Sequence, residues 1–463
     1  MIGLSVKTLR FKVNRREIEV RDVPAQTSLL AYLRSIGLTA AKEGCEEGMC
    51  GACAVLMVKD SQLGTRYAAV NSCLIPLAAA HEEEFLTAEG LNDRQELGAP
   101  QIALVHGGGS QCGYCTPGIV VSLFAEQFRR AKRPVDPGAL AGHLCRCTGY
   151  RTIMNVLLAL EASTPEPHAE RLQEPSPTQA PFAWAAGAGN FTRPDSLGEA
   201  TALLKNDPDA RVMGGYTDLG VQANVSHQRF SHLVAVDHLP ELRMLSEGSD
   251  HVEIGAGLTI FDIAERCTSV PPALSECIDA FGTPQIRNRA TLGGNLAVVG
   301  DLALLLAALG ATAMIVSAEG VHRVPVAHLL KGEVLPLMPG AIIQSCRIPK
   351  PFAAARFYKV ARRSLNDRGI VTAAFALKWA PDNRIADVRI FVGGLGAPQR
   401  VAPAEAALVG MEATPLAFEL AAAALRDGLA TPNDPRASGA YRAAVAGNFL
   451  SQFGHWTREQ AAR

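Results

Sequence analysis

Residues 44–55 read GCEEGMCGACAV, and this stretch decides how the N-terminal part of the chain folds. It contains Cys45, Cys50 and Cys53, and Cys73 follows downstream. Glycine lets a loop turn tightly and point backbone N–H groups inward, and the glycines here surround the thiols. Clustered cysteines in a chain that looks cytoplasmic more often hold metal or do redox chemistry than form disulfides.

The spacing of this first cysteine group distinguishes between metals. C-x4-C-x2-C followed by a distant fourth cysteine is the pattern that plant-type ferredoxins use for a [2Fe-2S] cluster. Structural zinc sites usually pair their cysteines as two C-x2-4-C units. The spacing therefore predicts an iron–sulfur site with the ligands Cys45, Cys50, Cys53 and Cys73.

A second group consists of Cys112, Cys115, Cys145 and Cys147, which form C-x2-C and C-x-C pairs. Thr116 and Pro117 follow the first pair as the N-cap and first residue of a predicted helix, and an apolar-periodic helix follows the second pair. Both pairs are thus expected near positive helix ends, which favour thiolates. Spacing alone leaves iron–sulfur and zinc both open for this group.

The remaining sequence predicts further domains around these sites. A hairpin is expected at residues 7–21 and a helix from Ser28 to Ile36. Residues 163–180 are rich in Pro, Ser and Glu, which predicts a linker acting as a flexible tether. From residue 181 strands and helices alternate, and after Gly340 a further α+β unit follows. Cys267, Cys277 and Cys346 are scattered among apolar residues and are predicted to be buried small hydrophobes.

Composition narrows the class of protein. The 463 residues include 44 basic and 45 acidic ones, a net charge of −1 that gives no reason to expect nucleic acid or a membrane as partner. The N-terminal residues MIGLSVKTLRFKVNRR contain no apolar run of signal-peptide length, so we expect a cytoplasmic protein. The apolar stretch from Leu302 to Ala318 is too short to span a bilayer and predicts a buried helix, a stop at Gly310 and a buried strand.

Three strings carry a resemblance to a known family. KEGCEEGMCGACAV, SQCGYCTPG and CRCTGY are similar to the two-cluster iron–sulfur region of the xanthine dehydrogenase, or molybdenum hydroxylase, family. The resemblance implies a second [2Fe-2S] cluster at Cys112, Cys115, Cys145 and Cys147, next to a molybdenum cofactor that Gln111 approaches. It implies that the first cluster lies on the flavin side. Tyr114 stands where the family usually has Phe.

Two glycine-rich segments resemble the FAD-contacting loops of the same family, in RVMGGYTDLG and in TLGGNL followed by GD. The resemblance implies FAD contacts at Val212, Met213, Gly214, Gly215, Tyr216, Thr217, Asp218, Leu219, Phe281, Thr291, Leu292, Gly293, Gly294, Asn295, Asp301, Ile343 and Lys359. The segment from Asn295 to Asp301 is shorter than its family counterpart and lacks a Ser-Pro pair, so FAD affinity is expected to differ. The string DRGIV at 367–371 also departs from the family pattern, at a position connected with nicotinamide access.

The resemblance implies a multidomain α+β fold. We expect a β-grasp ferredoxin-like domain at 1–89, a helical [2Fe-2S] bundle at 90–162 and, after the linker at 163–180, an FAD-binding domain of the vanillyl-alcohol-oxidase/CO-dehydrogenase flavoprotein type at 181–349. A CO-dehydrogenase-flavoprotein-like C-terminal domain is expected at 350–455.

The same resemblance implies an electron-transfer subunit of a xanthine dehydrogenase. Such a subunit passes electrons from a molybdenum-cofactor-binding large subunit, in an (αβ)2 heterotetramer, through two clusters to FAD and then NAD. No certain catalytic residue is expected in this chain. The alternatives are the equivalent subunit of an enzyme for aldehydes or N-heterocycles, and a zinc-stabilised scaffold without redox function.

Overall fold

The computed structural model describes residues 8–92, 97–129, 134–160, 168–187, 189–332, 338 and 340–461. The chain divides into two units. The first consists of Met1–Leu239, Thr259–Arg266 and Gly282–Thr291, and the second of Pro240–Leu258, Cys267–Phe281 and Leu292–Arg463. The predicted flavin domain, residues 181–349, therefore contributes segments to both units.

Strands and helices alternate along the described residues. The strands are β1 (Leu9–Val13), β2 (Arg16–Val20), β3 (Ala54–Lys59), β4 (Arg66–Asn71), β5 (Glu84–Leu86), β6 (Phe182–Ala185), β7 (Asn190–Arg193), β8 (Ala210–Met213), β9 (His232–Ala235), β10 (Leu245–Glu247), β11 (His251–Gly255), β12 (Thr312–Ser317), β13 (Gly320–Pro325), β14 (Ile342–Pro349), β15 (Ala354–Val360), β16 (Val371–Trp379), β17 (Ile385–Gly393) and β18 (Gln399–Arg400). The helices are α1 (Leu29–Ser35), α2 (Ala99–His106), α3 (Thr116–Gln127), α4 (Arg151–Leu158), α5 (His168–Arg171), α6 (Leu197–Asn206), α7 (Leu219–Val225), α8 (Ile260–Arg266), α9 (Pro272–Asp279), α10 (Pro284–Arg287), α11 (Leu292–Ala297), α12 (Asp301–Ala308), α13 (Val326–Leu329), α14 (Ala402–Ala406), α15 (Pro415–Gly428) and α16 (Gly439–Ala461).

The first unit begins with a mixed sheet in the order β2-β1-β5-β3-β4. The predicted hairpin is present, with Leu9 opposite Val20 in an antiparallel pair, and β1 also pairs with β5 in parallel. The side chain of Ser28 caps α1 by accepting a hydrogen bond from the Ala31 amide, as the predicted helix start requires. The buried leucines of α1 belong to the core of this sheet, which also contains Cys53 and Cys73. This is the β-grasp arrangement that the sequence predicts.

Helices α2, α3 and α4 form the next domain of the first unit. Residues 118–124 of α3 are buried, and so are Ile153, Val156 and Leu157 of α4, the apolar-periodic helix predicted after the second cysteine pair. The predicted helix start is wrong by one residue, because α3 begins at Thr116 and its N-cap is Cys115. The Thr116 hydroxyl instead lies 2.8 Å from the Ser110 hydroxyl.

The flexible tether predicted for residues 163–180 is wrong for the part that is described, 168–180. His168 is 2% exposed, and the Tyr67 hydroxyl donates to its carbonyl at 3.0 Å. Arg171 pairs with Glu84 at 2.8 Å, and the Thr65 hydroxyl donates to the Glu174 carbonyl. Polar contacts hold this segment on the β-grasp domain, and composition does not reveal such contacts. Residues 163–167 lie outside the described residues.

A second sheet of the first unit follows, in the order β6-β7-β9-β8. Strands β7, β9 and β8 run parallel to one another, as the predicted strand–helix alternation requires. The buried Arg193 at the end of β7 donates to the carbonyls of Ala79 and His81 at 3.4 Å. These hydrogen bonds join this sheet to the β-grasp domain within the same unit.

The second unit contains two sheets, in the orders β10-β11-β14-β12-β13 and β15-β16-β17-β18. The prediction for 302–318 is confirmed: α12 is buried, Gly310 follows at a φ of 75°, and β12 comes next. Within the residues that the structure describes, no helix has the length and apolar character needed to cross a membrane. Helix α16 packs on β16 in the second of these sheets, and α15 packs on α16. The core there includes Phe375, Phe418 and Phe453.

Candidate functional site: two cysteine sites and glycine-rich loops

The four sulfurs of the first cysteine group meet in two pairs. Cys53 Sγ and Cys73 Sγ lie 3.3 Å apart, and both side chains are buried. Cys45 and Cys50 form the other pair through a hydrogen bond that lowers the pKa of Cys45 to about 5. Each of the four residues that the sequence predicts as ligands is thus paired with another of the four.

Backbone N–H groups surround these sulfurs. Met49 N and Cys50 N each donate to Cys45 Sγ at 3.2 Å. Gly48, at a φ of 79°, has its backbone N–H beside the Cys73 sulfur, and Gly44 leaves room for Cys50 Sγ, which would lie 2.8 Å from a Cβ at that position. The loop therefore provides the hydrogen bonds that offset the negative charge of a thiolate-ligated cluster.

The second cysteine group shows the same pairing. The Cys112 side chain interacts with that of Cys147, and the Cys115 side chain with that of Cys145. Cys145 Sγ also lies 3.1 Å from the Thr148 hydroxyl, and Cys145 N donates to the Tyr150 hydroxyl at 2.9 Å. Cys112 and Cys147 are exposed, whereas Cys115 and Cys145 are buried.

Paired sulfurs fit a two-iron cluster better than a single ion. In a [2Fe-2S] cluster held by four cysteines, each iron takes two thiolates, while a structural zinc ion gathers four donors around one point. The donor sets of both groups therefore match [2Fe-2S] clusters.

The two cysteine groups touch through their backbones. Leu144 N, next to Cys145, donates to the Cys50 carbonyl at 3.0 Å. A Cβ on Gly51 would lie 2.3 Å from the Gly142 carbonyl, and one on Gly118 would lie 2.2 Å from the Gly51 carbonyl. Glycine at these positions lets the helical domain approach the first loop this closely.

A buried polar group beside this contact escapes the sequence analysis. His143 Nε2 lies 2.7 Å from the Ser122 hydroxyl, and the Gln285 amide donates to that hydroxyl at 3.0 Å. Burial lowers the pKa of His143 to about 4. The position of His143 two residues before Cys145 could have indicated that it lies near the second cysteine group. Nothing in the sequence indicates its contact with Gln285.

The first unit holds the first glycine-rich loop and Thr291. Val212 and Met213 end β8, Gly214 to Asp218 form the turn, and Leu219 begins α7. A Cβ on Gly214 would lie 2.7 Å from Thr291 Oγ1, and one on Gly215 would lie 1.7 Å from the Arg289 carbonyl. The structure thus brings the first loop and Thr291 together.

Tyr216 distinguishes this loop from an ordinary turn. Its φ is 63°, and burial raises its pKa to about 12. Among the described residues, no group forms a hydrogen bond with its buried hydroxyl. Gln222 Nε2 fixes the neighbouring carboxylate by donating to Asp218 Oδ2 at 2.7 Å. A loop with a buried phenol that lacks a partner suits a bound polar group, and FAD would supply one.

The second unit holds the remaining residues predicted to contact FAD. Leu292, Gly293, Gly294 and Asn295 lie in α11, Asp301 begins α12, and Ile343 is buried in β14. Lys359 Nζ lies 2.8 Å from Asp301 Oδ2 and donates to the Ala280 carbonyl at 3.0 Å. Asp301, Lys359 and the residue before Phe281 are therefore brought together.

The shortened segment closes on itself. Gly300 N donates to the Asn295 carbonyl at 2.8 Å, and Ala303 N donates to Asn295 Oδ1 at 3.1 Å. The Asn295 side chain thereby satisfies an amide in the first turn of α12, where backbone donors otherwise lack partners. These two hydrogen bonds join the start of the shorter loop to the start of α12.

Sequence profiles of four known domain families match this chain. The family described as a 2Fe-2S iron-sulfur cluster binding domain matches residues 11–78, and a [2Fe-2S] binding domain matches residues 87–158. An FAD binding domain in molybdopterin dehydrogenase matches residues 185–351, and a CO dehydrogenase flavoprotein C-terminal domain matches residues 356–457. The predicted multidomain α+β fold class is confirmed by these matches.

Curated relatives of this chain are much longer proteins. Xanthine dehydrogenase of Emericella nidulans is 29% identical over 525 residues, which cover 97% of this chain and 38% of the relative. Aldehyde oxidase 2 of Cavia porcellus is 29% identical over 473 residues, which cover 85% of this chain and 35% of the relative. The chain thus spans little more than a third of their length.

Solved structures are similar to a smaller part of the chain. Quinoline 2-oxidoreductase from Pseudomonas putida 86 has a chain that is 27% identical with a TM-score of 0.55, and the match covers 60% of this chain and 99% of that one. Carbon monoxide dehydrogenase from Hydrogenophaga pseudoflava gives 25% identity and a TM-score of 0.52, over 59% and 96%. The chain thus carries two [2Fe-2S] binding domains followed by an FAD binding domain of the molybdopterin dehydrogenase type, and in this order of domains it is similar to the iron–sulfur and FAD portion of the molybdenum hydroxylases, the family of xanthine dehydrogenase and aldehyde oxidase.

Proposed function

We propose that this chain is the electron-transfer subunit of a xanthine dehydrogenase, with two [2Fe-2S] clusters, FAD and NAD as acceptor. The first cluster takes Cys45, Cys50, Cys53 and Cys73 as ligands, and the second takes Cys112, Cys115, Cys145 and Cys147. FAD is held by the two glycine-rich segments, 212–219 and 291–295, and by Phe281, Asp301, Ile343 and Lys359. Both assignments rest on the resemblance, the paired sulfurs and the packed loops.

One observation carries the proposal: two sets of paired thiols lie in loops that share a backbone hydrogen bond, from Leu144 N to the Cys50 carbonyl. When bound, the clusters would carry single electrons, and FAD would collect two of them for hydride transfer to nicotinamide. The chain contributes the geometry. Backbone N–H groups that face the sulfurs of Cys45 and Cys73 would stabilise these ligands as anions, and the glycine contacts keep the two loops adjacent.

A molybdenum-cofactor subunit is the proposed partner, in an (αβ)2 assembly. Cys112 and Cys147 are exposed, so the second site opens toward solvent on the helical domain. Large apolar side chains of that domain are also exposed, among them Val105, Tyr114 and Tyr150. A covering subunit would shield the cluster and bury these side chains. One similar solved structure is described as a Cu,Mo-CO dehydrogenase, which supports a molybdenum partner.

Metal and flavin analysis of the purified chain tests the proposal. We expect about four irons and one flavin per chain, two irons for each cluster, and a visible spectrum that dithionite bleaches. Stoichiometric zinc with a colourless protein would instead support the zinc-stabilised scaffold and overturn the proposal.

The substrate requires a separate assay. Xanthine dehydrogenase and aldehyde oxidase are equally similar to this chain at 29% identity, and quinoline 2-oxidoreductase follows at 27%. We expect the complex with its molybdenum subunit to reduce NAD with xanthine. Turnover with an aldehyde or an N-heterocycle but not with xanthine would assign the chain to another enzyme of the family.

A further inference from the structure

Helix α7 connects the proposed flavin loop to the first cysteine site. It begins at Leu219, where the glycine-rich loop ends, and Gly220 in its first turn lies beside Leu74. A Cβ on Gly220 would be 2.9 Å from Leu74 Cδ2, and Leu74 directly follows the proposed ligand Cys73. Leu219, Val221 and Ala223 all pack on the core that contains Cys53 and Cys73.

Asn224, in the last turn of this helix, contacts two segments that carry proposed ligands. Its Nδ2 donates to the Glu46 carbonyl at 2.9 Å and to the Cys73 carbonyl, also at 2.9 Å. Glu46 follows Cys45 and has a φ of 55°, a left-handed conformation that costs a non-glycine residue free energy. The amide therefore uses both hydrogens to hold the first and the last ligand segment of one site.

The placement of these two hydrogen bonds has an electrostatic consequence. Cys45 and Cys73 belong to different sulfur pairs, so the amide spans both halves of the proposed cluster. The positive end of the amide dipole faces the Glu46 and Cys73 carbonyls, and positive charge beside the ligand segments stabilises the reduced, more negative form of a cluster. The amide thus acts on the site from the helix that starts at the flavin loop.

We propose that Asn224 is a positioning residue that holds the first cluster's ligand segments against the flavin-loop helix and raises that cluster's reduction potential. The inference rests on the proposed function, in which one electron leaves the reduced first cluster and enters the flavin. It assigns to Asn224 a role that neither the cysteine spacing nor the glycine-rich loop predicts.

A second amide clamp in the same unit provides a matched control. Gln26 of the β-grasp domain accepts a hydrogen bond from Phe230 N at 3.1 Å, and its amide donates to the Phe230 carbonyl. This clamp joins the same two domains as Asn224 does, but it contacts neither Glu46 nor Cys73. A role in domain docking alone would therefore give both variants the same behaviour.

The test compares Asn224→Leu, Asn224→Ser and Gln26→Met in the chain loaded with iron and flavin. EPR-monitored redox titration measures the potential of each cluster, and stopped-flow absorbance measures flavin reduction after mixing with dithionite as the electron donor. We expect Asn224→Leu to lower the first cluster's potential, alter its EPR signal and slow flavin reduction, with iron and flavin contents unchanged. Asn224→Ser keeps one donor and should lie between wild type and Leu, which preserves the test if Asn224→Leu fails to fold.

Two results separate the possible failures. Potentials and EPR signals that match those of wild type in both Asn224 variants, or that shift equally in Gln26→Met, would overturn the inference while leaving the proposed function intact. A wild-type chain that binds no flavin would overturn the proposed function. The potential and EPR comparison of the first cluster would still decide the effect of Asn224 on that site.

Discussion

At the residue scale, the partners of each cysteine separate cluster ligands from ordinary core residues. Eight of the eleven cysteines meet another sulfur, in the pairs described above. Cys267, Cys277 and Cys346 are buried, as the sequence predicts, and burial raises the pKa of Cys277 and Cys346. Spacing was enough to find the two groups, but which sulfurs pair depends on how the loops fold.

Replacement of one exposed thiol tests the second group. Cys147→Ser should remove the second cluster, because one iron loses a thiolate, while the first cluster and the flavin remain bound. Iron content should fall from about four to about two per chain, and one EPR signal should disappear. Cys267→Ser, at a buried cysteine outside both groups, should keep the full iron content. Retention of both EPR signals in Cys147→Ser would contradict the ligand assignment.

An acidic residue in the second unit predicts a dependence of stability on pH. Asp434 Oδ1 lies 2.6 Å from the guanidinium of the fully buried Arg442. Backbone N–H groups of Arg436 and Ala437, together with the side chains of Arg436 and Arg442, lower the pKa of Asp434 to about 2. A carboxylate in an unfolded chain has a pKa of about 3.9. The stabilisation is therefore present above about pH 4 and is lost as the pH falls toward 2.

Asp434→Asn should lower the thermal unfolding temperature at pH 7, because it leaves the Arg442 guanidinium without its anion. The difference from wild type should shrink as the pH falls from about 4 to about 2, where the wild-type carboxylate takes up a proton. Asp382→Asn is the control, since Asp382 lies 3.7 Å from Arg384 and both side chains are exposed. A difference between Asp434→Asn and wild type that is constant with pH would contradict the linkage.

Residues that act through tertiary contacts could not be predicted from the sequence. Asn224 and Gln285 meet the cysteine loops from segments far along the chain, at sequence separations of 151 from Cys73 and 142 from His143. No local sequence pattern distinguishes them from other Asn and Gln residues. Residues whose role follows from a repeated spacing, such as the cysteines, could be predicted.

At the element scale, the contact between the two cluster loops depends on glycine. Gly51 has a φ of 68° and faces the Gly142 carbonyl, as described above. Gly149 has nearly the same φ, 66°, but nothing lies within 4 Å of the position of its Cβ. A comparison of substitutions at these two glycines therefore distinguishes the cost of backbone strain from the cost of a steric collision.

Gly51→Ala should destabilise the chain more than Gly149→Ala. Both substitutions carry the cost of a left-handed alanine, about 1–2 kcal/mol. Gly51→Ala adds a collision with backbone that cannot be relieved by a side-chain rotation, so the helical domain must move away from the first loop. Thermal unfolding and the magnetic interaction between the two EPR signals measure the outcome. Equal destabilisation, with an unchanged interaction, would show that the contact tolerates a methyl group.

Strand β15 carries two ion pairs whose burial differs. Lys359 and Asp301 have side chains that are 6% and 21% exposed, whereas Arg356 and Glu276 are 30% and 35% exposed. Removal of one partner from a buried pair costs about 3–5 kcal/mol, while an exposed pair contributes about 0–1 kcal/mol.

Lys359→Met should therefore lower the free energy of unfolding by about 3 kcal/mol, and Arg356→Met by at most about 1 kcal/mol. Because Lys359 is also a proposed FAD residue, flavin should be lost on gel filtration of the Lys359 variant only. Urea unfolding followed by circular dichroism, with flavin absorbance after gel filtration, measures both effects. Equal losses in the two variants would contradict the assignment of Lys359 to a buried, functional pair.

Local sequence patterns predict whether a segment is a helix or a strand, but they predict less accurately where that helix or strand begins and ends. The apolar run at Leu302–Ala318 predicts α12, the turn at Gly310 and β12 because each has its own residue signature. The start of α3 lies one residue earlier than predicted because Cys115, a residue with no capping preference, occupies the cap position without a side-chain cap hydrogen bond.

At the scale of the whole molecule, the order of domains could be predicted but their contacts could not. The cysteine groups and glycine-rich loops appear in the same order as in the family, and this order identifies the domains. The attachment of residues 168–180 to the β-grasp domain depends on single polar contacts such as Thr65 with Glu174. A Pro-rich composition gives no information about such partners.

The proposed partner makes a prediction at this scale. Val105, in the helix that precedes Cys112, is 66% exposed, and Leu416 in α15 of the second unit is 63% exposed. Val105→Asp should weaken co-purification with the molybdenum subunit, because a charge would be buried on docking. Leu416→Asp should leave co-purification unchanged, and both variants should keep full iron and flavin. Equal capture of the two variants would place the docking surface elsewhere.

The attachment of residues 168–180 predicts what happens when the polypeptide chain is cleaved into two fragments. A nick in the polypeptide just ahead of His168 would break its covalent continuity. The downstream fragment would still be held through Arg171 on Glu84, the Thr65 bond to Glu174 and the Arg193 bonds to Ala79 and His81. The two fragments should therefore co-elute after limited proteolysis, and two separately expressed pieces should reassemble without a peptide bond between them.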